Sequence, residues 1–372
     1  MLHVLMLRGF TLPGTILAEP IVTNYLCVGI AVLASSVIYG LGRDVAQARQ
    51  MGSYRLSERL GRGGMGEVWK ADHMLLARTA AIKLIRTDLD GGITPAHLER
   101  FEREVQATAG LRSPHTIDVY DFGLTSDGTF YYVMELLDGL DLENLVRMNG
   151  PLPPGRVVHI LRQVCHSLAE AHQVGMVHRD IKPANIFICR YGRDLDFVKL
   201  LDFGLVKQAR GTDAGDVALT QDGSFTGTPA YASPEMAGGD VDQVDATSDI
   251  YSLGCVAFWL LTGRTVFEAS TTVQMLMKHH GEVPEAPSGF TEREVDSEID
   301  HLILECLEKK SRDRVPSALV LDARLREIAT TNTWSPDEAG RWWDQHRPER
   351  NETESSPDLP PTVDEVIVTK AR

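Results

Sequence analysis

The segment HRDIKPAN, residues 178–185, constrains this chain more than any other stretch of it. Within six residues it carries a carboxylate, an ammonium and an amide, on Asp180, Lys182 and Asn185. These groups can serve one substrate hydroxyl, one phosphate and one metal ion. Seventeen residues beyond Asn185 comes Asp202, which opens an Asp-Phe-Gly sequence. Its carboxylate can join Asn185 in holding Mg²⁺ against the β- and γ-phosphates of a nucleotide.

A glycine-rich segment, LGRGGMGEV, lies upstream at residues 60–68. Glycine lets the main chain approach a phosphate that a Cβ atom would exclude. A dinucleotide-binding turn uses similar glycines, but it opens a helix and is followed about 20 residues later by an acid that binds the ribose. Here residues 67–71 have the pattern of a strand, and the residue 22 positions after Gly61 is Lys83. The context therefore argues against a dinucleotide site.

Lys83 lies in an apolar strand-like segment, where a lone ammonium needs a partner to offset its desolvation. Glu104 is the partner we expect, because the apolar face of its helical segment, which includes Val105, places it nearer the buried side. Glu102 is the competing candidate. The alternative for each residue taken alone is a solvated surface charge.

The hydrophobic pattern predicts an α+β chain, with a small strand-rich lobe followed by a mainly helical one. Residues 54–85 alternate as strands do. A helix is expected from residues 94–95, because Thr is a good N-cap and Pro suits the first helical position. Apolar residues recur at helical spacing over 157–171, and residues 250–261 are apolar nearly all round, as in a buried helix.

The N-terminal region predicts a membrane anchor. Residues 21–42 contain no charged residue, and a helix needs about 20 such residues to cross the hydrocarbon core. A buried core helix or an uncleaved signal-like segment is the alternative. Five arginines follow the span within 20 residues and only Arg8 precedes it, which predicts a single-pass protein of the cell membrane with its C-terminal side in the cytoplasm.

Six segments are therefore expected along the chain. They are a short apolar N-terminal segment (1–20), a transmembrane helix (21–42), a juxtamembrane linker (43–53), a catalytic domain (54–330), a C-terminal helical extension (331–347) and a disordered acidic tail (348–372).

Three other features argue against further ligands. A net charge of −15 disfavours a nucleic-acid surface, which needs clustered Lys and Arg. A second Asp-Phe-Gly, at residues 121–123, follows no acid or amide at a usable distance and is interpreted as unrelated to catalysis. Trp342 and Trp343 are expected to cap the helical lobe rather than to bind a ligand.

These motifs, in this order, resemble the eukaryotic-type protein kinase family, and the glycine-rich loop is similar to that of its bacterial membrane-anchored serine/threonine members. The resemblance implies a two-lobed fold, with one key helix in the small strand-rich lobe and a larger helical lobe. It implies that ATP binds between the lobes, with Mg²⁺ as the metal and Mn²⁺ as an alternative. It implies that Asp180 is the catalytic base, that Lys182 neutralises the transferred phosphate, that Lys83 pairs with Glu104 and holds the α- and β-phosphates, and that Asn185 and Asp202 bind the metal.

The same resemblance assigns the remaining nucleotide contacts. Met134 is expected to be the gatekeeper, and the main chain of Glu135 and Leu137 to bind adenine. The loop residues implied to surround ATP are Leu60, Gly61, Arg62, Gly63, Gly64, Met65, Gly66, Glu67 and Val68. Glu235 and Arg314 match the family's structural ion pair. Two departures are small, namely Ser233 where the family usually has Ala and Ile181 where it has Leu.

The expected substrates are serine and threonine hydroxyls of proteins, because Lys182 and the sequence GTPAY at 227–231 resemble serine/threonine kinases. Between residues 205 and 227 the chain offers four hydroxyls in a Gly-, Asp- and Thr-rich stretch. Of these we expect autophosphorylation in trans, through a transient dimer, at Thr220, Ser224 or Thr226. A pseudokinase that binds ATP without turnover is the competing hypothesis, although none of the charged residues named above is missing.

Overall fold

The computed structural model describes residues 50–63, 66–85, 95–125, 129–203, 228–328 and 333–347. Outside the described residues lie the predicted segments 1–20 and 21–42, most of the linker 43–53, and the tail 348–372. Within the described ranges, no helix has both the length and the apolar character needed to span a bilayer. The chain divides into two compact units, Met1–Thr87 with Val119–Leu136 and Asp88–Asp118 with Leu137–Arg372.

The described part of the first unit is an antiparallel sheet. Its strand order is β1-β2-β3-β4-β6-β5. Strand β6 is buried along its whole length, as the apolar run at residues 130–134 predicts. The strands are β1 (Gln50–Met51), β2 (Tyr54–Gly63), β3 (Gly66–His73), β4 (Thr79–Ile85), β5 (Val119–Leu124) and β6 (Phe130–Glu135).

The strand pattern predicted over residues 54–85 is confirmed, but the sheet begins earlier than expected. Met51 is buried in one cluster with Tyr54, Ile82 and Val133, and it pairs with Tyr54 across the β1–β2 turn. Residues 50–51 therefore belong to the sheet and not to the predicted linker 43–53. A strand of two residues is too short for hydrophobic periodicity to detect.

The second unit combines a three-stranded sheet with helices. The strands are β7 (Asp138–Asp141), β8 (Ile186–Tyr191) and β9 (Asp194–Leu200), in that spatial order. The described helices are α1 (Pro95–Ala109), α2 (Leu142–Asn149), α3 (Pro154–Gln173), α4 (Pro234–Gly238), α5 (Ala246–Thr262), α6 (Thr272–Gly281), α7 (Ser297–Cys306), α8 (Ala318–Ile328) and α9 (Pro336–His346).

Helices α3 and α5 form the centre of the second unit's core. Helix α3 buries apolar side chains at the helical spacing read from its sequence, and α5 is buried on nearly every face. Asp245 and Ser248 make a capping box at the start of α5, and Gly263 ends the helix with a φ of 71°, a conformation that favours glycine. Both predicted helices are confirmed.

Helix α1 begins at Pro95, as predicted, but it groups with the second unit rather than with the small strand-rich one. The chain that follows α1 accounts for this. His115 accepts a main-chain hydrogen bond from Leu200 of β9, and Ile117 donates one to the same residue. Sequence pattern predicts the helix but not this pairing, which joins residues far apart in the chain.

Candidate active site

Asp180 is the centre of a compact cluster within the HRDIKPAN segment. Lys182 Nζ lies 2.8 Å from Asp180 Oδ2, and Asn185 Nδ2 lies 2.9 Å from the same oxygen and 2.8 Å from the Asp180 main-chain oxygen. The amide oxygen of Asn185 takes no part in these bonds, and oxygen is the ligand atom that Mg²⁺ prefers. The structure thus brings together the three groups that sequence analysis singled out.

Asp249, a buried residue of α5, holds the HRDIKPAN segment in place through hydrogen bonds. Its carboxylate accepts hydrogen bonds from the main-chain nitrogens of His178 (2.8 Å) and Arg179 (2.9 Å) and from His172 Nε2 (2.8 Å). Arg179 has a φ of 63°, an unfavourable conformation for a side chain with a Cβ atom, and these bonds help to hold it there.

Sequence analysis missed Asp249, although a signal was present. Asp249 lies in the first turn of α5, directly before its apolar run, and a buried acid there must find donors. The sequence indicates that such donors exist, but it does not indicate that they belong to the HRDIKPAN segment.

His178 connects the HRDIKPAN segment to the Asp-Phe-Gly segment that begins at Asp202. Its Nδ1 accepts from the Asp180 main-chain nitrogen (3.2 Å), so Nε2 carries the proton and donates to the Leu201 main-chain oxygen (2.8 Å). Burial lowers the pKa of His178 and keeps the ring neutral, as this pattern requires. The buried ring of Phe203 packs against it with centroids 4.6 Å apart.

Asp202 is positioned by its neighbours on both sides. Leu201 donates its main-chain N–H to the main-chain oxygen of Asn185 at 2.8 Å, which ties the two predicted metal ligands to one another through the main chain. Asp202 itself has a φ of 57°. Positive φ at a non-glycine residue is uncommon and occurs often at functional sites. Gly204, which completes the motif, lies outside the described residues.

The predicted phosphate-binding residues of the first unit lie on β2, β3 and β4. Gly61 pairs with Val68 and Gly63 with Gly66, so the described residues of the glycine-rich segment lie on two paired antiparallel strands and not at the start of a helix. The dinucleotide alternative is thereby excluded on the context that it requires. Leu60 is exposed, and Arg62 lies 3.6 Å from Glu67. Gly64 and Met65 lie outside the described residues.

Lys83 is buried on β4, next to Val68 on one side and Tyr132 on the other. Glu104 belongs to α1, but the placement of its side chain lies outside what the structure describes, so the Lys83–Glu104 pair stays a prediction. Met134 and Glu135 are buried at the end of β6, and Leu137 is half-buried immediately before β7.

The second Asp-Phe-Gly has an ordinary strand environment. Asp121 is exposed on β5, and its carboxylate accepts a hydrogen bond from the main-chain nitrogen of the next residue, Phe122, at 2.9 Å. Unlike Asp202, Asp121 is not one of the described non-glycine residues with a positive φ. The two Asp-Phe-Gly sequences therefore differ in backbone conformation and in surroundings.

Glu235 and Arg314 form the predicted ion pair in the second unit. Two nitrogens of Arg314 lie 2.8 and 2.7 Å from the two carboxylate oxygens, and Ser248 Oγ also donates to the carboxylate. Burial by itself would raise the pKa of Glu235, but the hydrogen bonds and the charge of Arg314 outweigh it and hold that pKa below its usual range.

The candidate phosphorylation sites Thr220, Ser224 and Thr226 lie outside the described residues.

Comparison with known proteins agrees with this geometry. The protein kinase domain family matches residues 54–324. Serine/threonine-protein kinase pkn3 of Myxococcus xanthus is 40% identical over 280 residues, which cover 74% of this chain and 50% of that protein. Serine/threonine-protein kinase PknB of Mycobacterium tuberculosis is 38% identical over 278 residues, which cover 74% and 42%.

The chain thus matches half or less of the length of these relatives. A crystal structure of Rad53 1-466 in complex with AMP-PNP aligns with a TM-score of 0.59 and 25% identity, covering 76% of this chain and 68% of that one. Family match, relatives and fold agree with the loop built around Asp180, and the chain belongs to the protein kinase family.

Proposed function

We propose that this chain is an ATP-dependent serine/threonine protein kinase. The observation that carries the proposal is the convergence of Lys182 and Asn185 on the Asp180 carboxylate. The named relatives are serine/threonine-protein kinases, which supports hydroxyl groups of proteins as substrates. The Rad53 structure holds AMP-PNP, an ATP analogue, which supports ATP as the phosphate donor.

In the proposed reaction Asp180 orients the serine or threonine hydroxyl and accepts its proton. The hydroxyl oxygen forms a bond to the γ-phosphorus as the bond from that phosphorus to the β–γ bridging oxygen breaks, and ADP leaves. Lys182 lies beside Asp180 and places a positive charge near the transferred phosphoryl group. His178 and Asp249 hold the loop in this arrangement.

The donor set fits a hard divalent cation. Asn185 would contribute its amide oxygen and Asp202 its carboxylate, and the positive φ of Asp202 together with the Leu201–Asn185 hydrogen bond fixes their main chains relative to one another. When bound, Mg²⁺ or Mn²⁺ neutralises charge on the phosphates. Lys83 and the glycine-rich strands would hold the rest of the nucleotide.

The test is to incubate the purified full chain with Mg-ATP and a protein acceptor and to map phosphorylated residues by mass spectrometry. Lys83→Met and Asp180→Asn should each lower turnover by more than about tenfold, or about 1.4 kcal/mol in barrier. Phosphotyrosine alone would contradict the substrate class. Nucleotide binding without any phosphoryl transfer would favour the pseudokinase instead.

A second part of the proposal concerns location. Residues 21–42 are uncharged and long enough to cross a bilayer, and arginines follow them, which supports a single-pass membrane protein with its kinase domain in the cytoplasm. The full chain should fractionate with membranes, and removal of residues 1–49, which keeps β1, should release it. Full-length chain in the detergent-free soluble fraction would contradict this part and leave the kinase proposal intact.

A third part concerns self-regulation. Thr220, Ser224 and Thr226 lie between the Asp-Phe-Gly motif and the GTPAY sequence, and Arg179 adjoins the catalytic Asp180. A phosphate adds nearly two negative charges and forms strong hydrogen bonds with arginine. We therefore include autophosphorylation of this segment in trans, with a second copy of the chain as a transient partner.

A further inference from the structure

A buried carboxylate joins the C-terminal segment, residues 333–347, to the rest of the second unit. Asp196 on β9 is fully buried, with a φ of 54°. Arg156 of α3 binds it through Nε (2.7 Å) and Nη2 (2.8 Å). The indole nitrogens of Trp334 and Trp343 donate to its two oxygens at 2.9 and 2.8 Å. Two of its four side-chain donors therefore come from the segment that follows the matched family region.

The aromatic rings of the same segment also surround the positive partner. The guanidinium of Arg156 lies 4.0 Å from the centroid of Trp342 and 5.1 Å from that of Trp334. A buried ion pair is stable only when its remaining hydrogen-bonding capacity is satisfied and its surroundings are well packed. Residues 333–347 are thus an integral layer of the second unit and not a loose extension.

The far end of this layer reaches strand β7. Arg347 Nη1 donates to the Gly139 main-chain oxygen at 2.5 Å, and Arg190 Nη2 donates to the main-chain oxygen of Arg347. Arg190 also lies 3.7 Å from Asp138 and 5.1 Å from the ring centroid of Trp343. Arg347 and Arg190 therefore clamp the first two residues of β7.

Strand β7 is well placed to respond to such a clamp. It is the edge strand of its sheet, hydrogen-bonded to β8 on one side, and it begins at the residue after Leu137. Gly139 already lies close to β8, since a Cβ atom there would be 2.0 Å from the Ile188 main-chain oxygen. A displacement of Gly139 would move the main chain of Leu137, which the resemblance to protein kinases assigns to adenine.

We infer that residues 333–347 act as a strap that fixes β7, with Arg347 as a positioning residue for nucleotide binding. The inference rests on the proposed ATP-dependent kinase activity. It assigns the C-terminal layer a role in affinity for the nucleotide and none in the chemical step, because Arg347 acts through Gly139 rather than on Asp180.

The test compares Arg347→Ala, Arg347→Lys and Arg341→Ala in the full chain. Arg341 is an exposed arginine of α9, the helix that Arg347 directly follows, and provides a matched control. For each variant we would measure KM for ATP, kcat, the unfolding midpoint and the dissociation constant of a fluorescent ATP analogue with Mg²⁺. Arg347→Ala should raise both KM for ATP and the dissociation constant by about threefold to tenfold, with kcat unchanged. Arg347→Lys should fall between it and wild type, and Arg341→Ala should match wild type.

The inference is overturned if Arg347→Ala binds nucleotide as wild type does, or if it lowers kcat and the unfolding midpoint without a change in nucleotide affinity. Its failure is distinguishable from failure of the proposed function, because nucleotide binding needs no turnover. A wild-type chain that binds the analogue and transfers no phosphate would remove the kinase proposal while the variants still test the strap. A chain that binds no nucleotide would overturn both.

Discussion

The Asp180 carboxylate accepts hydrogen bonds from the side chains of Lys182 and Asn185 on a single oxygen, Oδ2. Two donors on one oxygen fix the carboxylate's rotation, which an acid that must orient a hydroxyl requires. The same bonds turn the Asn185 amide so that its oxygen, not its nitrogen, is left to meet a cation. One small set of hydrogen bonds thus prepares both the proposed base and one of the proposed metal ligands.

The two Asp-Phe-Gly sequences offer a test with an internal control. Asp202→Asn should lower turnover by more than about a hundredfold, or about 3 kcal/mol in barrier, because an amide cannot replace a carboxylate's charge on the metal. Asp121→Asn should leave turnover unchanged, since Asp121 is exposed on β5. The measurement is initial rate at saturating Mg-ATP. Equal losses in the two variants would mean that the roles assigned here are wrong.

At the scale of elements, Gly61 on β2 and Gly66 on β3 differ in what surrounds them. A Cβ atom on Gly66, whose φ is +144°, would lie 1.8 Å from the Leu84 main-chain oxygen, so this glycine is required for β3 to pair with β4. A Cβ atom on Gly61 would meet nothing within 4 Å. Gly66 is therefore needed for strand pairing, whereas the open space at Gly61 is consistent with its proposed role in phosphate binding.

We expect Gly66→Ala to lower the free energy of unfolding by about 2 kcal/mol or more, because the methyl group must displace β4. Gly61→Ala should leave that free energy unchanged and raise KM for ATP, because the methyl group enters the space proposed for phosphate. Urea unfolding and ATP titration of both variants provide the comparison. A Gly66→Ala chain as stable as wild type would contradict the packing argument, and a Gly61→Ala chain with wild-type KM would contradict the phosphate role.

Much of this could be predicted from local patterns. Strands β2 to β4, the start of α1, and helices α3 and α5 follow from hydrophobic periodicity and capping residues, and the group around Asp180 follows from its six-residue spacing. Three features could not be predicted, because each joins residues distant in sequence. They are the pairing of residues 115–117 with Leu200, the support of the catalytic loop by Asp249, and the binding of Trp334 and Trp343 by Asp196.

At the scale of the whole molecule, stability should depend on pH through buried histidines. Burial lowers the pKa of His279 to about 3, with Lys309 contributing, and Tyr251 lies 2.9 Å from its Nδ1. In the unfolded chain the same imidazole titrates near 6.5. Between these values the unfolded state binds a proton that the folded state does not, so stability falls as the pH falls, by up to about 1.4 kcal/mol per pH unit.

His279→Gln removes this titration, so its free energy of unfolding should decline less steeply than that of wild type between pH 7 and pH 5. At neutral pH the variant should also be less stable than wild type, because Tyr251 loses its imidazole partner. The slope rather than the absolute value is therefore the measure, from urea unfolding at several pH values. Identical slopes would show that His279 is protonated in the folded chain or does not control acid stability.

Activation is a property of two molecules if autophosphorylation occurs in trans. A chain freed of phosphate by phosphatase should then show a lag in substrate phosphorylation, and the lag should shorten as enzyme concentration rises, because the activating step is bimolecular. The matched variant changes Thr220, Ser224 and Thr226 together to Ala. Its substrate phosphorylation should stay slow throughout, since no phosphate on this segment can bind Arg179. A lag that does not depend on enzyme concentration would indicate activation within one chain. A triple variant with full, lag-free activity would place control outside these three hydroxyls.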